Sequence, residues 1–310
     1  MIRRMLVAGG LAVVLASWAV GPALADDLSD YLANADDAIY SGRRVMGTTW
    51  DGVESVGMIA IQHHAGMTFV GSDPDYVTVG EGRMHLGGSD EAAVSFVRNP
   101  QVDVEGRYTV VPGEETDYLG RPARIVDVME GDMLRMRMVV DESTAAPVAT
   151  EVYGADESVF RYSSMVEFSV SADPTMRSVD GTDYQMMLPL EEADPAGDVA
   201  GYRLVDVYVG PHDSRQSFYS DGLFSFSVFT ADGWTDWRAT TDDEIPYDVG
   251  GSSYLRVIGP SSVWVLWNSP HATLALVGDL PPDHIEQVLA ELPRPANRAW
   301  FRRAWALLFE

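Results

Sequence analysis

Acid–base, metal or nucleophilic chemistry in this chain would have to come from six histidines and a large stock of carboxylates, because there is no cysteine. Such groups act only when a defined constellation brings them together. His63 and His64 fall in a strand-like run, where neighbouring side chains point to opposite faces, so the pair is poorly placed to chelate one ion. His85, His212, His271 and His284 stand apart from one another and read as surface or satisfied loop residues. The groups Asp36-Asp37, Glu114-Glu115, Glu191-Glu192 and Asp242-Asp243-Glu244 lack the spacing that wraps oxygens around calcium, and read as solvated faces. No G-x-S-x-G elbow, H-E-x-x-H, P-loop or helix-opening G-x-G-x-x-G occurs. A serine–histidine–aspartate triad assembled by the fold would not show in sequence order, which keeps a hydrolase as one open reading. The residues themselves assign no catalytic group, no metal ligand and no cofactor, and they favour a binding protein over an enzyme.

The elements that carry these residues have two textures. Leu28, Tyr31, Leu32, Ala35 and Ile39 share one helical face, with Gly42 beyond it as a C-cap. From Val45 to about Phe168, short runs such as Met58-Ile59-Ala60-Ile61 and Arg124-Ile125-Val126-Asp127-Val128 predict a meandering antiparallel sheet. Turn pieces punctuate it at Asp51-Gly52, Asp73-Pro74, Gly87-Gly88, Pro112-Gly113 and Glu130-Gly131-Asp132. In Met133 to Val140 the alternation is clearest, with Leu134, Met136, Met138 and Val140 on one face and Arg135 and Arg137 on the other. Ala93, Phe96 and Val97 predict a second helix over Asp90 to Arg98, ended by Asn99-Pro100. The methionines Met129, Met133, Met136 and Met138 suit either ordinary core or a surface that adapts to apolar ligands.

An acidic, Pro- and Gly-rich stretch over 189–199 reads as a linker between a domain at 26–188 and a second at 200–293. The second domain opens on the strand-like Tyr202 to Val209 and carries a hairpin signal at Asp221-Gly222. It closes on a helix that starts at Pro281-Pro282-Asp283, buries Ile285, Val288, Leu289 and Leu292, and ends at Pro293. One or two helices against a large antiparallel sheet, followed by a smaller unit of strands and a helix, place the chain in the α+β class.

At the N-terminus, Arg3-Arg4, an apolar run from Met5 to Val20 and Ala23-Leu24-Ala25 have the layout of a secretory signal peptide over 1–25, with cleavage after Ala25. All 21 basic residues are arginine against 47 acids, and the net charge of −26 repels nucleic acid and anionic surfaces over the molecule as a whole. The tail over 294–310 is the exception. Trp300, Ala304, Trp305 and Leu308 form a stripe beside Arg298, Arg302 and Arg303, which suits a membrane surface, a partner, or an apolar patch of the protein itself.

Several of these runs resemble one family. Tyr219-Ser220-Asp221-Gly222-Leu223-Phe224-Ser225-Phe226-Ser227-Val228-Phe229 is similar to the Y-S-D-G-L-x-x-x-S-V-F signature of the MucB/RseB family, periplasmic negative regulators of the sigma-E envelope-stress pathway. Leu276-Val277-Gly278-Asp279-Leu280-Pro281 resembles that family's strand leading into its closing helix. Gly120-Arg121-Pro122-Ala123, then Asp132, Asp141 and Pro147, follow the order of its G-R-x-A turn and later hairpin, and Tyr40-Ser41-Gly42 falls where it has Y-x-G. The stretch from Asp51 to Phe96 departs from the family pattern, and Met133 to Val140 lacks its usual tyrosines.

The resemblance implies a half-open antiparallel β-barrel with helices and an apolar cavity, like the lipoprotein carriers, followed by a smaller α+β partner-binding domain. It further implies a regulator that binds the exported segment of a membrane-spanning anti-sigma factor, shields it from site-1 proteolysis and releases it when a lipid or lipoprotein occupies the cavity. On that reading Ile59, Ile61, Leu134, Met136 and Met138 line the lipid cavity, while Tyr219, Leu223, Phe224 and Phe226 serve the partner surface. A lipid or lipoprotein carrier of the envelope is the alternative. Self-association is left open.

Overall fold

The computed structural model describes residues 38–64, 67–80, 83–88, 94–98, 107–170, 188–189, 197–209, 214–233 and 245–296. The signal segment, the first helix up to residue 37, linker residues 190–196 and the tail beyond residue 296 lie outside them.

The first sheet is a long antiparallel meander of β1 (Tyr40–Trp50), β2 (Val53–His64), β3 (Met67–Gly80), β4 (Arg83–Gly88), β5 (Val94–Arg98), β6 (Tyr108–Tyr118), β7 (Arg121–Glu130), β8 (Met133–Asp141), β9 (Pro147–Tyr153) and β10 (Val159–Val170). Its order is β4-β3-β2-β1-β10-β9-β8-β7-β6, with β5 on β3. Pairing of β10 with β1 joins the two halves of the meander, and among the described residues β4 and β6 end the path without pairing to each other. Asp51-Gly52 turns β1 into β2 with both residues at positive φ, 49° and 76°, as a two-residue hairpin that matches the strand twist requires.

Several sequence expectations change here: Gly42, expected as a helix C-cap, lies within β1, and Gly87-Gly88, expected as a turn, pair with Tyr76 and Asp75 as the end of β4. Val94–Arg98, read as the end of a helix, is strand β5, which pairs Phe69 with Phe96 and Val70 with Ser95. Its β-branched and aromatic residues fit a pleated surface, and long-range pairing overrides a weak helical period. Pro112-Gly113 and Asp73-Pro74 are not turns. The strands run through them and the register slips instead, between Pro112 and Glu115 in β6, and in β2 between Gly57 and Ile59, which pair with Tyr76 and Ser72 on either side of Asp73-Pro74 in β3. At Pro112 the strand lies at the sheet edge, where the missing N–H costs no ladder bond. Among the described residues of the first domain there are strands and turns and no helix.

The second sheet runs β11-β12-β13-β14-β18-β17-β16-β15. Its strands are β11 (Leu188–Pro189), β12 (Arg203–Val209), β13 (Arg215–Ser220), β14 (Ser225–Asp232), β15 (Ile245–Val249), β16 (Ser252–Ile258), β17 (Val263–Asn268) and β18 (Ala272–Gly278). Helix α1 (Pro282–Glu291) follows β18 at once, with Pro282 in its first turn and Asp283 near its positive end. His284, Ile285, Val288 and Leu289 form its buried face. The main core is shared between the domains: Val126, Val128, Met136 and Met138 of the first sheet join Leu223, Phe224, Phe226, Leu280 and Ile285 of the second domain in one cluster. The domains meet across an interior.

Candidate functional site

The junction is built from residues scattered from 107 to 284. Asp221 follows β13, and its Oδ1 accepts from the backbone N–H groups of Leu223 at 3.0 Å and Phe224 at 2.8 Å, which closes the turn into β14. Its Oδ2 reaches the other domain, accepting from the Tyr108 hydroxyl at 2.7 Å and pairing with Arg107 Nη1 at 3.0 Å. Arg107 also donates through Nε to Glu130 Oε1 at 2.9 Å and lies over the Tyr202 ring, 5.1 Å from its centroid.

Arg135 extends this cluster. Between Val128 and Met129 of β7 the partner jumps from Met136 to Leu134, so Arg135 is the extra residue of a β-bulge. The bulge turns its side chain into the junction instead of the outward face that strict alternation gives it. There it donates to Glu130 Oε2 at 2.7 Å and makes a two-pronged contact with Asp283, at 3.2 and 2.7 Å. Burial works against the Glu130 charge, but the hydrogen bonds from Arg107 and Arg135 outweigh it and hold this carboxyl at about 2. His284 completes the group, with Nδ1 2.6 Å from the Tyr202 hydroxyl and Nε2 3.2 Å from Glu130 Oε2. Burial, then Arg107 and Arg135, lower its affinity for a proton.

A second contact joins the domains elsewhere. Arg256 of β16 stacks 4.3 Å from the Trp50 ring centroid and donates to Asp51 Oδ2 at 2.7 Å. Nearby, the Thr48 hydroxyl donates to the Pro260 carbonyl at 3.1 Å. Arg161, opposite Thr48 in the β1–β10 ladder, is buried and donates through Nε to Thr48 Oγ1 at 3.2 Å. Its Nη2, and the hydroxyl of Ser163 two residues on, make no hydrogen bond, and burial lowers the guanidinium to about 10.

The residues expected to form a lipid cavity fall in two clusters. Ile61 is buried with Ile59 against Tyr40, Ala146, Val148 and Met165, whereas Met136 and Met138 belong to the junction core, and Leu134 is half-buried. Tyr219, Leu223, Phe224 and Phe226, expected at a partner surface, are 3 %, 2 %, 0 % and 0 % exposed. They are interior because β13 and β14 lie inside the second sheet, with the first sheet and α1 packed on this hairpin. His63, by contrast, stacks on Tyr40 with ring centroids 4.8 Å apart. No group of three or more metal-ligating side chains occurs among the described residues.

The motifs thus have physical roles. Gly278 lies against β14, where a Cβ would come within 2.6 Å of Phe226 Cβ and 2.7 Å of the Ser225 carbonyl oxygen. Asp279 then accepts from the Ser225 N–H at 2.8 Å. Arg121 of the G-R-x-A turn donates twice to Asp141, at 2.6 and 3.1 Å, and Asp141 also accepts from the N–H groups of Ser143 and Thr144. The junction cluster was hidden in sequence, since its members lie far apart and His284 looked isolated.

No family model matches the chain, and no curated protein matches it. Among solved structures, the crystal structure of MucB is similar with a TM-score of 0.54 and 18 % identity, over 88 % of this chain and 98 % of that one. MucB in complex with MucA(peri) gives 0.49 at 18 % identity, over 88 % and 100 %. The Pseudomonas aeruginosa MucA/MucB complex gives 0.47 at 18 % identity, over 87 % and 99 %. The first of these likenesses shows that the chain shares the fold of MucB over 88 % of its length.

Proposed function

We propose that the protein is a periplasmic regulatory binding protein, exported by a signal peptide cleaved after Ala25. It holds the exported segment of a membrane-spanning anti-sigma factor, shields that segment from site-1 proteolysis, and lets go when a lipid or lipoprotein occupies the N-terminal domain. The observation that carries this reading is the MucB fold across both domains, together with the Asp221 and Gly278-Asp279 motif residues at the junction and at the strand that leads into α1. MucB is itself solved with MucA(peri).

The two binding events are linked: a ligand that prefers the partner-free state weakens the partner by the same factor as the partner weakens the ligand. Ile59 and Ile61 lie in one apolar cluster and Met136 and Met138 in another, with Leu134 half-buried, so an acyl chain enters by parting one of these clusters, and no covalent step is needed. Tyr219, Leu223, Phe224 and Phe226 serve the partner surface from beneath, by fixing how the second domain sits on the first. The test is a pulldown with the exported segment of a single-pass anti-sigma factor from a neighbouring gene, in the presence and absence of added envelope lipid. Retention and protection of the segment, lost on adding lipid, are expected. A segment that is never retained overturns the reading, and lipid handed between membranes without segment binding would favour a carrier.

A further inference from the structure

We infer that the junction is a proton-operated latch, in which His284 is the group through which acid loosens the second domain from the first sheet. The geometry is that of a neutral imidazole held from both sides. Nε2 faces Glu130 Oε2, which only accepts, at 3.2 Å and Arg107 Nη2, which only donates, at 3.4 Å, and the shorter contact to the carboxylate places the hydrogen on Nε2. Nδ1 then accepts from the Tyr202 hydroxyl at 2.6 Å, a hydroxyl that burial keeps protonated. Each ring nitrogen is satisfied, one by each domain.

A second proton fits this arrangement only if the Tyr202 hydroxyl turns from donor to acceptor. It would have to enter at Nδ1, against a hydroxyl that is already donating, inside a side chain that is 1 % exposed and edge-on to the Phe224 ring. The charged groups facing the imidazole are Arg107 beside β6, Glu130 at the end of β7, Arg135 on β8 and Asp283 on its own helix. Tyr108 and Asp221 stand behind Arg107. Enclosure is the largest cause, the two arginines add to it and the two carboxylates oppose it, and the sum disfavours the imidazolium.

The sign follows from linkage. In an opened junction His284 meets water and takes a proton near the ordinary 6.5, whereas in the closed junction it resists. The latch is then indifferent to pH above that value. As pH falls below it, the open state binds more protons than the closed one, and the open-to-closed ratio rises by up to about tenfold per pH unit until the closed-state value is reached. Opening uncovers the interior formed by Leu223, Phe224 and Phe226.

The absence of cysteine makes a direct test simple. Glu114→Cys and Ser253→Cys place one fluorophore on an exposed position of each domain of the full exported chain. Energy transfer between them is expected to be flat from pH 8 to 6.5 and to change from 6.5 to 5. In the His284→Gln background, which keeps a neutral hydrogen-bonding side chain, it is expected to stay flat throughout. In the unlabelled wild-type protein, nuclear magnetic resonance of the His284 ring is expected to give a titration point below 6.5, and this readout needs no variant to fold. A His284 that titrates at or above 6.5, a transfer signal unchanged down to pH 5, or the same acid response in His284→Gln would each overturn the latch.

Discussion

Arg135 and Arg161 are 4 % and 5 % exposed on strands of the same sheet, and their company differs completely. Arg135 spends its guanidinium on Glu130 and on both oxygens of Asp283 across the junction. Arg161 has one hydroxyl, the face of Phe160 at 5.2 Å, a terminal nitrogen with no hydrogen bond, and the charge of buried Asp279, whose attraction does not offset the desolvation. Removing one member of a buried ion pair strands the other charge, whereas removing a poorly satisfied buried charge relieves a desolvation cost. The comparison separates a buried charge whose partners offset its desolvation from one whose partners do not.

Breaking the junction should therefore have the largest effect. Asp221→Asn removes the fully buried one of the two carboxylates paired with Arg107 and weakens the β13–β14 turn, with an expected loss of about 3–5 kcal/mol in denaturant unfolding. Arg135→Met is expected to cost less, about 2–3 kcal/mol, because Glu130 and Asp283 are 25 % and 22 % exposed and can recover some water. Gly278→Ala probes packing alone: its methyl group meets β14 backbone, and a loss of about 1–3 kcal/mol is expected from the same unfolding curves. Arg161→Met should have the smallest effect, within about 1 kcal/mol of wild type or more stable. A large loss at Arg161 would collapse the comparison.

Much of the fold was legible because it depends on local rules. The Asp51-Gly52 and Asp221-Gly222 turns, the alternation of Met136, Met138 and Val140, and the apolar face of α1 all lie where side-chain period and turn chemistry put them. What was illegible is non-local. Val94–Arg98 is a strand because β3 offers it a ladder, and the β6 edge absorbs Pro112 as a bulge. Arg135 is itself the extra residue and turns inward, and period-two reasoning has no way to see a bulge within the strand. The Y-S-D-G-L run was visible as a motif but not as an interior, since only the packed fold shows that Asp221 reaches Tyr108 and that Phe224 is covered.

The central claim is that this fold serves to hold an exported protein segment. Calorimetric titration of the chain without residues 1–25 against the exported segment of a single-pass anti-sigma factor tests it most directly. The account expects saturable binding at micromolar concentrations or tighter, about −8 kcal/mol or stronger, and weakening when envelope lipid is added. A flat titration at concentrations well above that range would contradict it.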